Sequence, residues 1–428
     1  MHVDLAFGRT GLPIELPEGP VYRVLEARGA TPLADPAAAL NDALDHPIGC
    51  APLAEMARGC ASAAISVCDI TRPAPNRQTL PHILKRLEGG GIPSSGIRIL
   101  IATGLHRAAT EAEILEIVGP EIAAKYAVLN HDARAFAEHR HLGSTKSGIP
   151  VYIDERFVSA DLHITLGFIE PHLMLGFSGG RKLIAPGLAA QETIKVIHSP
   201  KYMRHARSVE GSIQNNPLHY ELVEIASMAR HDFMLDVALA RDRQIAGVFA
   251  GEPVAAHRAG VEFVSNTLLE LLDEPVDAVI TTAAGYPLDL TFYQTVKGIT
   301  AAQHILKPGG KILVFGACTE GPGAPEFQEM LRSFGSYSAF LDTIRDREVI
   351  VDQWQMEKLA LVGERFEVMF YTPGLPAEFR GCFGTNMFGS PEEAVADLVR
   401  RCGPGARIAV IPEGPYVLAK VREAELVG

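Results

Sequence analysis

The sequence predicts an α/β fold built as two Rossmann-like units. Apolar runs of strand length alternate with stretches of helical period along almost the whole chain, the pattern of parallel sheets flanked by helices. In the first half several of these runs end in a polar tip and then a helix, the repeating unit of a doubly wound sheet. A chain of 428 residues also exceeds what one average core supports. The boundary falls where a long helical stretch, VAAHRAGVEFVSNTLLELL, gives way to Asp273-Glu274-Pro275. The expected division is an N-terminal domain over 1–272 and a C-terminal domain over 273–412, with the tail 413–428 free to pack back on the first.

Residues 1–16 read as a hairpin about Arg9-Thr10-Gly11. Asp35-Pro36 opens a helix with Pro at its first position. ASAAISVCDI is continuously apolar, as a buried parallel strand is, and runs into Thr71-Arg72-Pro73. Pro73 and Pro75 stop it, and a helix over 77–88 follows. IRILIATG is the next strand, closing on His106, with a helix bearing Glu111, Glu113 and Glu116 behind it. AVLNHDA is a third strand, IPVYIDERFVSAD reads as an edge hairpin, and LHITLGFI as a further apolar strand. FMLDVALA and IAGVFAG are strands ahead of the long connecting helix. In the second half VDAVITTA, KPGGKILVFGA, RFEVMFYT and RIAVIPEG read as strands. Helices are expected over 291–306, from 326, over 349–361 and after Ser390-Pro391. No GxGxxG follows the first of these strands, which argues against NAD or FAD held in the usual way.

Composition narrows the function. With 47% hydrophobic and 21% charged residues, the chain is of ordinary globular type. A formal net charge of −12 makes nucleic acid an improbable partner. No apolar run reaches the ~20 residues of a membrane span, and the N-terminus has no basic region leading into an apolar core. Its six cysteines form no CxxC pair, so neither a zinc knuckle nor a disulfide framework is indicated, and a cytoplasmic setting is expected.

The chain is organised around IEPHLMLGFSGGRKLIAPGLAAQETIKVIHSP, residues 169–200. Gly176, Gly179 and Gly180 lead into Arg181 and Lys182, a loop suited to cradling an anion with its N–H groups. It is not a phosphate loop of the GxxxxGK[ST] kind. The pentad Gly176-x-Ser178-x-Gly180 matches a nucleophile elbow by spacing, but the preceding strand ends too early and Pro171 intervenes. Arg72, His106 and His172 each follow a strand, and a doubly wound sheet gathers such positions at one edge. Gln294 and Lys297 lie three apart on one helical face. Arg72 and Lys297 suit a carboxylate. His106 and His172 suit proton transfer near neutrality, and His198 suits a metal.

These motifs together resemble the lactate racemase family, the nickel-pincer-nucleotide-dependent 2-hydroxyacid racemases and epimerases. The resemblance rests on DITRP (Asp69, Arg72), TGLH (His106), EPH (His172), GFSGGRK (Lys182), IHSP (His198), YQTVK (Gln294, Lys297) and DQWQ (Trp354), in that order. It implies a site in the cleft between two domains. It implies a pyridinium mononucleotide joined through a thioamide to Lys182, with nickel held by two sulfurs, a ring carbon and His198. Gly179, Gly180 or Arg181 would hold the nucleotide phosphate, and Asp69, with Thr71 beside it, would contact the cofactor or orient Arg72. Maturation enzymes that build the cofactor are implied as partners.

The chemistry implied is racemisation by removal of hydride, not a proton, from C2 of a 2-hydroxy acid, because that hydrogen is barely acidic. His106 and His172 would each serve one enantiomer's hydroxyl. Arg72, Lys297 and Gln294 would anchor the carboxylate, and Trp354 would close over the substrate. The side-chain end, lactate-like or malate-like, would be met by residues such as Tyr293. Arg181 and Arg204 are the cations a second carboxylate would need, though phosphate binding and solvent are the simpler roles for them. The alternatives are a metal-dependent hydrolase or dehydrogenase using the same histidines, and a non-catalytic small-acid-binding protein. Oligomeric state is not encoded legibly.

Overall fold

The computed structural model describes residues 1–26, 29–384 and 386–422. It is a mixed α/β structure with two six-stranded sheets. The first has the order Ile245–Gly251, Phe233–Leu239, Leu162–Phe168, Ala63–Cys68, Ile97–Ala102, Ala127–Asn130. All of its pairings are parallel except the first, where Phe233–Leu239 and Ile245–Gly251 form an antiparallel edge. Ala63–Cys68 and Leu162–Phe168 are buried at every position, which is why they read as unbroken apolar runs rather than as alternating ones. Their registers place Ile65 beside both Ile99 and Ile164 in one core.

The helices between these strands start where their sequences say they should. The Asp35 carboxylate accepts the N–H of Ala38 to cap Pro36–Asp45. Thr110 and Glu113 form a reciprocal capping box at the head of Glu111–Val118.

The second sheet is wholly parallel, in the order Asn386–Met387, Glu367–Tyr371, Leu306–Phe315, Val276–Thr282, Arg407–Ile411, Val21–Val24. Its last strand is a finding. Val21–Val24, placed by sequence on the first unit, belongs to this sheet and pairs with Arg407–Ile411, while residues 2–15 form a separate two-stranded sheet packed on its core. The expected hairpin, His2–Leu5 with Leu12–Glu15, buries Val3, Leu5 and Ile14 against Ala278 and Ile280. Val21–Val24 alternates between exposed and half-buried, and so short a one-faced strand gives no local sign of its partner.

Two other elements differ from expectation. The connecting helix ends at Leu268, and Leu269–Leu272 is a strand paired in parallel with Leu418–Val421 of the tail. The tail thus packs back at the junction between the two halves; its residues 423–428 lie outside the described part. The hairpin near residue 150 is formed by His139–Ser144 with Pro150–Asp154 and is a separate two-stranded sheet.

Candidate functional site

Leu162–Phe168, Ala63–Cys68 and Ile97–Ala102 are neighbours, and their carboxyl ends deliver Glu170 and His172, Asp69 and Arg72, and Thr103 to His106 to one place. The second half faces them with two helices. Phe292–Ala302, capped by Thr291, carries Tyr293, Gln294 and Lys297, and Gln353–Gly363 carries Trp354. One cavity is lined by Asp69, Arg72, His106 and His172 together with Gly179, Lys182 and His198. Tyr293, Gln294, Lys297 and Trp354 close it from the other side. It opens into a wider outer cleft, where Thr71 stands.

Local contacts set the chemistry of each group. His106 Nδ1 lies 2.7 Å from Asp69 Oδ2, and Thr71 Oγ1 donates to Asp69 Oδ1 at 2.7 Å. Burial drives the Asp69 carboxyl up, but His106, Arg72 and the Thr71 hydroxyl outweigh it and hold the group at about 2. Asp69 therefore stays ionised and accepts a hydrogen bond from Nδ1–H of His106, which leaves Nε2 with its lone pair. His172 is arranged the opposite way. Its Nδ1 accepts the backbone N–H groups of Met174 and Leu175 at 3.4 and 3.3 Å, so the ring proton sits on Nε2. Burial, then Lys182, Lys297 and Arg72, depress its pKa far below the usual value and keep the ring neutral. His198 donates Nδ1–H to the Ile194 carbonyl at 2.8 Å, which leaves Nε2 as an electron-pair donor. Its ring rests on Trp354, centroids 4.4 Å apart. Trp354 Nε1 in turn donates to the Tyr293 hydroxyl at 2.9 Å.

Three cations share this space. Arg72 approaches Glu170 at 3.8 Å, whereas neither Lys182 nor Lys297 makes an ion pair or side-chain hydrogen bond with a described residue. Burial, then Arg72, lowers Lys182 to about 8 and pushes Lys297 well down. A small anion would relieve all three.

The glycine loop does something other than expected. Arg181 does not reach the cavity wall. Its guanidinium turns away to His257 Nε2 at 2.7 Å and to the carbonyls of Phe177, Gly179 and Leu175. The tight turn Gly180–Leu183 divides the two basic side chains, aiming Lys182 into the cavity and Arg181 behind it. The N–H of Gly180 is already taken by Asp236 Oδ2 at 2.8 Å. Ser178 is no nucleophile either: its buried hydroxyl accepts from Glu170 N–H and donates to the Phe168 carbonyl. Arg204 is only partly solvated and is not free for a second carboxylate, for it pairs with the buried Glu357 at 2.5 Å and donates to the Leu341 carbonyl. With Lys358 bonded to the carbonyls of Met203 and Ser208, this pair pins the Trp354 helix to the segment after His198.

Sequence reading passed over three acids. Glu170 and Asp352 lie inside motifs quoted above, EPH and DQWQ. Asp236, the one acid in the run FMLDVALA, carries the Gly180 loop from behind. A lone carboxylate in a buried strand was the available signal for it.

The fold and the cavity define an α/β protein whose cavity, set between a buried amine and two imidazoles of opposite tautomer, suits a small anion. The comparisons agree. Residues 7–211 match the lactate racemase N-terminal domain, and residues 272–419 the lactate racemase C-terminal domain. The chain is 31% identical to lactate racemase of Thermoanaerobacterium thermosaccharolyticum, over 98% of this chain and 99% of that one. It is 34% identical to lactate racemase of Lactiplantibacillus plantarum, over 89% and 90%. The structure of the Thermoanaerobacterium apoprotein superposes with a TM-score of 0.88, covering 99% of this chain and 100% of that one. A Thermotoga maritima protein, 17% identical, shares the fold at a TM-score of 0.66 over 86% and 96%. The chain belongs to the lactate racemase family.

Proposed function

We propose that the protein racemises lactate or a closely similar 2-hydroxy acid, using a nickel-pincer nucleotide carried on Lys182. The carrying observation is that Lys182, His198 and the pair His106 and His172 open onto one cavity, with the Nε2 of His106 and of His198 carrying a free electron pair. The two sheets are then the cores of two Rossmann-like domains, divided near residue 272 but with residues 1–24 on the C-terminal one, and the site lies in the cleft between them.

The residues fit the group. The Lys182 amine makes no ion pair or hydrogen bond with a described residue, and at about 8 it is far more often neutral than an ordinary lysine's. His198 offers one imidazole nitrogen. Among the described residues no three His, Cys, Asp or Glu side chains are placed to hold a metal, so further donors must come from the group itself. That same fact weighs against a hydrolase with a protein-only metal site. When bound, the nucleotide supplies a hydride acceptor.

The protein's own part is then as follows. Arg72 and Lys297, with Gln294, hold the substrate carboxylate, which discharges their mutual repulsion. His106 Nε2 takes the hydroxyl proton of one enantiomer, and Asp69 stabilises the imidazolium that results. His172 enters as a hydrogen-bond donor to the other position of that oxygen. To act as base for the opposite enantiomer it must exchange tautomer, releasing its two long backbone contacts. Trp354 and Tyr293 cover the cavity and exclude water.

The test is protein produced with the maturation enzymes and given a single enantiomer deuterated at C2. Interconversion with deuterium retained supports the reading, since the hydrogen leaves and returns without meeting solvent. Washout into water defeats it.

A further inference from the structure

Asp352 stands immediately before the helix Gln353–Gly363, two positions ahead of Trp354. An aspartate there ordinarily caps the helix, its carboxylate accepting an N–H from the first turn. This one does not: its backbone is left-handed (φ 65°, ψ 0°) and no side-chain cap bond forms. Its carboxyl makes no hydrogen bond or ion pair with any described residue, although Asp352 is only 8% exposed. Buried carboxyls are nearly always given donors, because leaving one bare is costly. Burial pushes this one up to about 7, with His106 and Arg134 pulling it back only in part. The left-handed turn suits an aspartate, but no hydrogen bond or ion pair with a described residue accounts for its carboxyl.

Its position gives that carboxyl a role. Asp352 borders both the inner cavity and the outer cleft, as do His106, Tyr293 and Gln294, so it stands at the neck that joins them. A short 2-hydroxy acid whose carboxylate lies at Arg72 and Lys297, and whose hydroxyl lies at His106, has one group left to direct at that neck. That group is C3 with what it carries.

We propose that Asp352 reads the C3 substituent of the bound 2-hydroxy acid and selects one that carries a hydroxyl. The proposal rests on the racemase reading above and narrows its substrate. A C3 hydroxyl gives the bare carboxyl the donor it lacks. A methyl group, as in lactate, covers it without offering a donor, and a second carboxylate, as in malate, sets a charge beside a carboxyl that burial already makes hard to ionise. Sites built to bond a substrate hydroxyl reject analogues without it strongly, because their own polar group is then stranded.

The experiment measures kcat/KM of the matured protein on single enantiomers of glycerate, lactate and malate. The expected order is glycerate first, by roughly tenfold or more over lactate, and malate last. Asp352→Ala should bring the glycerate-to-lactate ratio close to one. Asp352→Asn keeps an acceptor oxygen without charge, so it should retain part of the hydroxyl preference and relax the exclusion of malate. A native enzyme that handles lactate as well as glycerate, or an unchanged ratio in Asp352→Ala, overturns the proposal. Should Asp352→Ala fail to fold, the native ratio decides alone, together with whether glycerate raises the melting temperature of the cofactor-free native protein more than lactate does. Adduct-bearing protein that interconverts none of the three acids overturns the racemase reading and Asp352's role with it. Interconversion without C3 preference overturns the role of Asp352 alone.

Discussion

Asp69 and His106 are 37 residues apart in sequence and meet at 2.7 Å, Oδ2 to Nδ1, at the ends of two adjacent parallel strands. The contact fixes which ring nitrogen carries the proton, and so makes Nε2 the base. Asp69→Asn preserves the shape but removes the charge that stabilises an imidazolium. Racemisation should fall by about 10²–10⁴, as for other His–carboxylate pairs, while the Lys182 adduct and nickel content stay near normal. Equal loss of adduct would show that Asp69 serves the cofactor instead.

The same carboxylate has a stability consequence. Its pKa is about 2 in the folded protein against 3.8 ordinarily, so the unfolded chain binds the proton more readily. The contribution is fully present above about pH 4 and is lost as pH falls through 2. Acid titration of the melting temperature should therefore show a shallower low-pH fall in Asp69→Asn than in the native protein.

Lys182 should be unusually reactive as an amine. With its pKa lowered to about 8 from 10.5, half is neutral at pH 8. Acylation of the cofactor-free protein by a small amine reagent, followed by peptide mass mapping, should label Lys182 with a pH midpoint near 8. Exposed lysines should continue to gain reactivity toward pH 10. A Lys182 midpoint above 10 would remove the case for a tether prepared by burial.

The histidines should separate by what they lose. His198→Ala should lose nickel, because its Nε2 is the imidazole donor the protein offers. His172→Ala should keep nickel and adduct but lose most turnover, and Lys182→Ala should carry no adduct. Metal analysis and intact mass distinguish the three. Joint loss of metal in His106→Ala, His172→Ala and His198→Ala would mean one metal cluster and a different chemistry.

Gly179 admits no side chain. Its φ is +82°, and a Cβ would lie 2.2 Å from Asp236 Oδ2. Gly179→Ala combines left-handed strain with a clash in a packed wall, so a loss of about 2–4 kcal/mol is expected, read by denaturant unfolding. The Lys182 adduct should diminish in the fraction that remains folded, since the loop that presents the amine is displaced.

By itself the sequence determined most of the elements and named residues that line one cavity. Strands such as Ala63–Cys68 and Leu162–Phe168 are buried on both faces, so their apolar runs needed no context. The motifs that hold His106, His172, Lys182 and His198 are short and ordered, and each follows a strand, turn or helix that local residues specify. Tertiary structure decided what depends on partners far along the chain. It placed Val21–Val24 on the second sheet, because pairing with Arg407–Ile411 is a contact between the two ends of the protein. It turned Arg181 toward His257 and Lys182 toward the cavity, although the two are adjacent in sequence. It gave Arg204 to Glu357 across 153 positions. It also left the Asp352 carboxyl without a partner among the described residues, which no sequence pattern reveals, because a carboxyl's worth is set by the donors that folding brings to it or withholds.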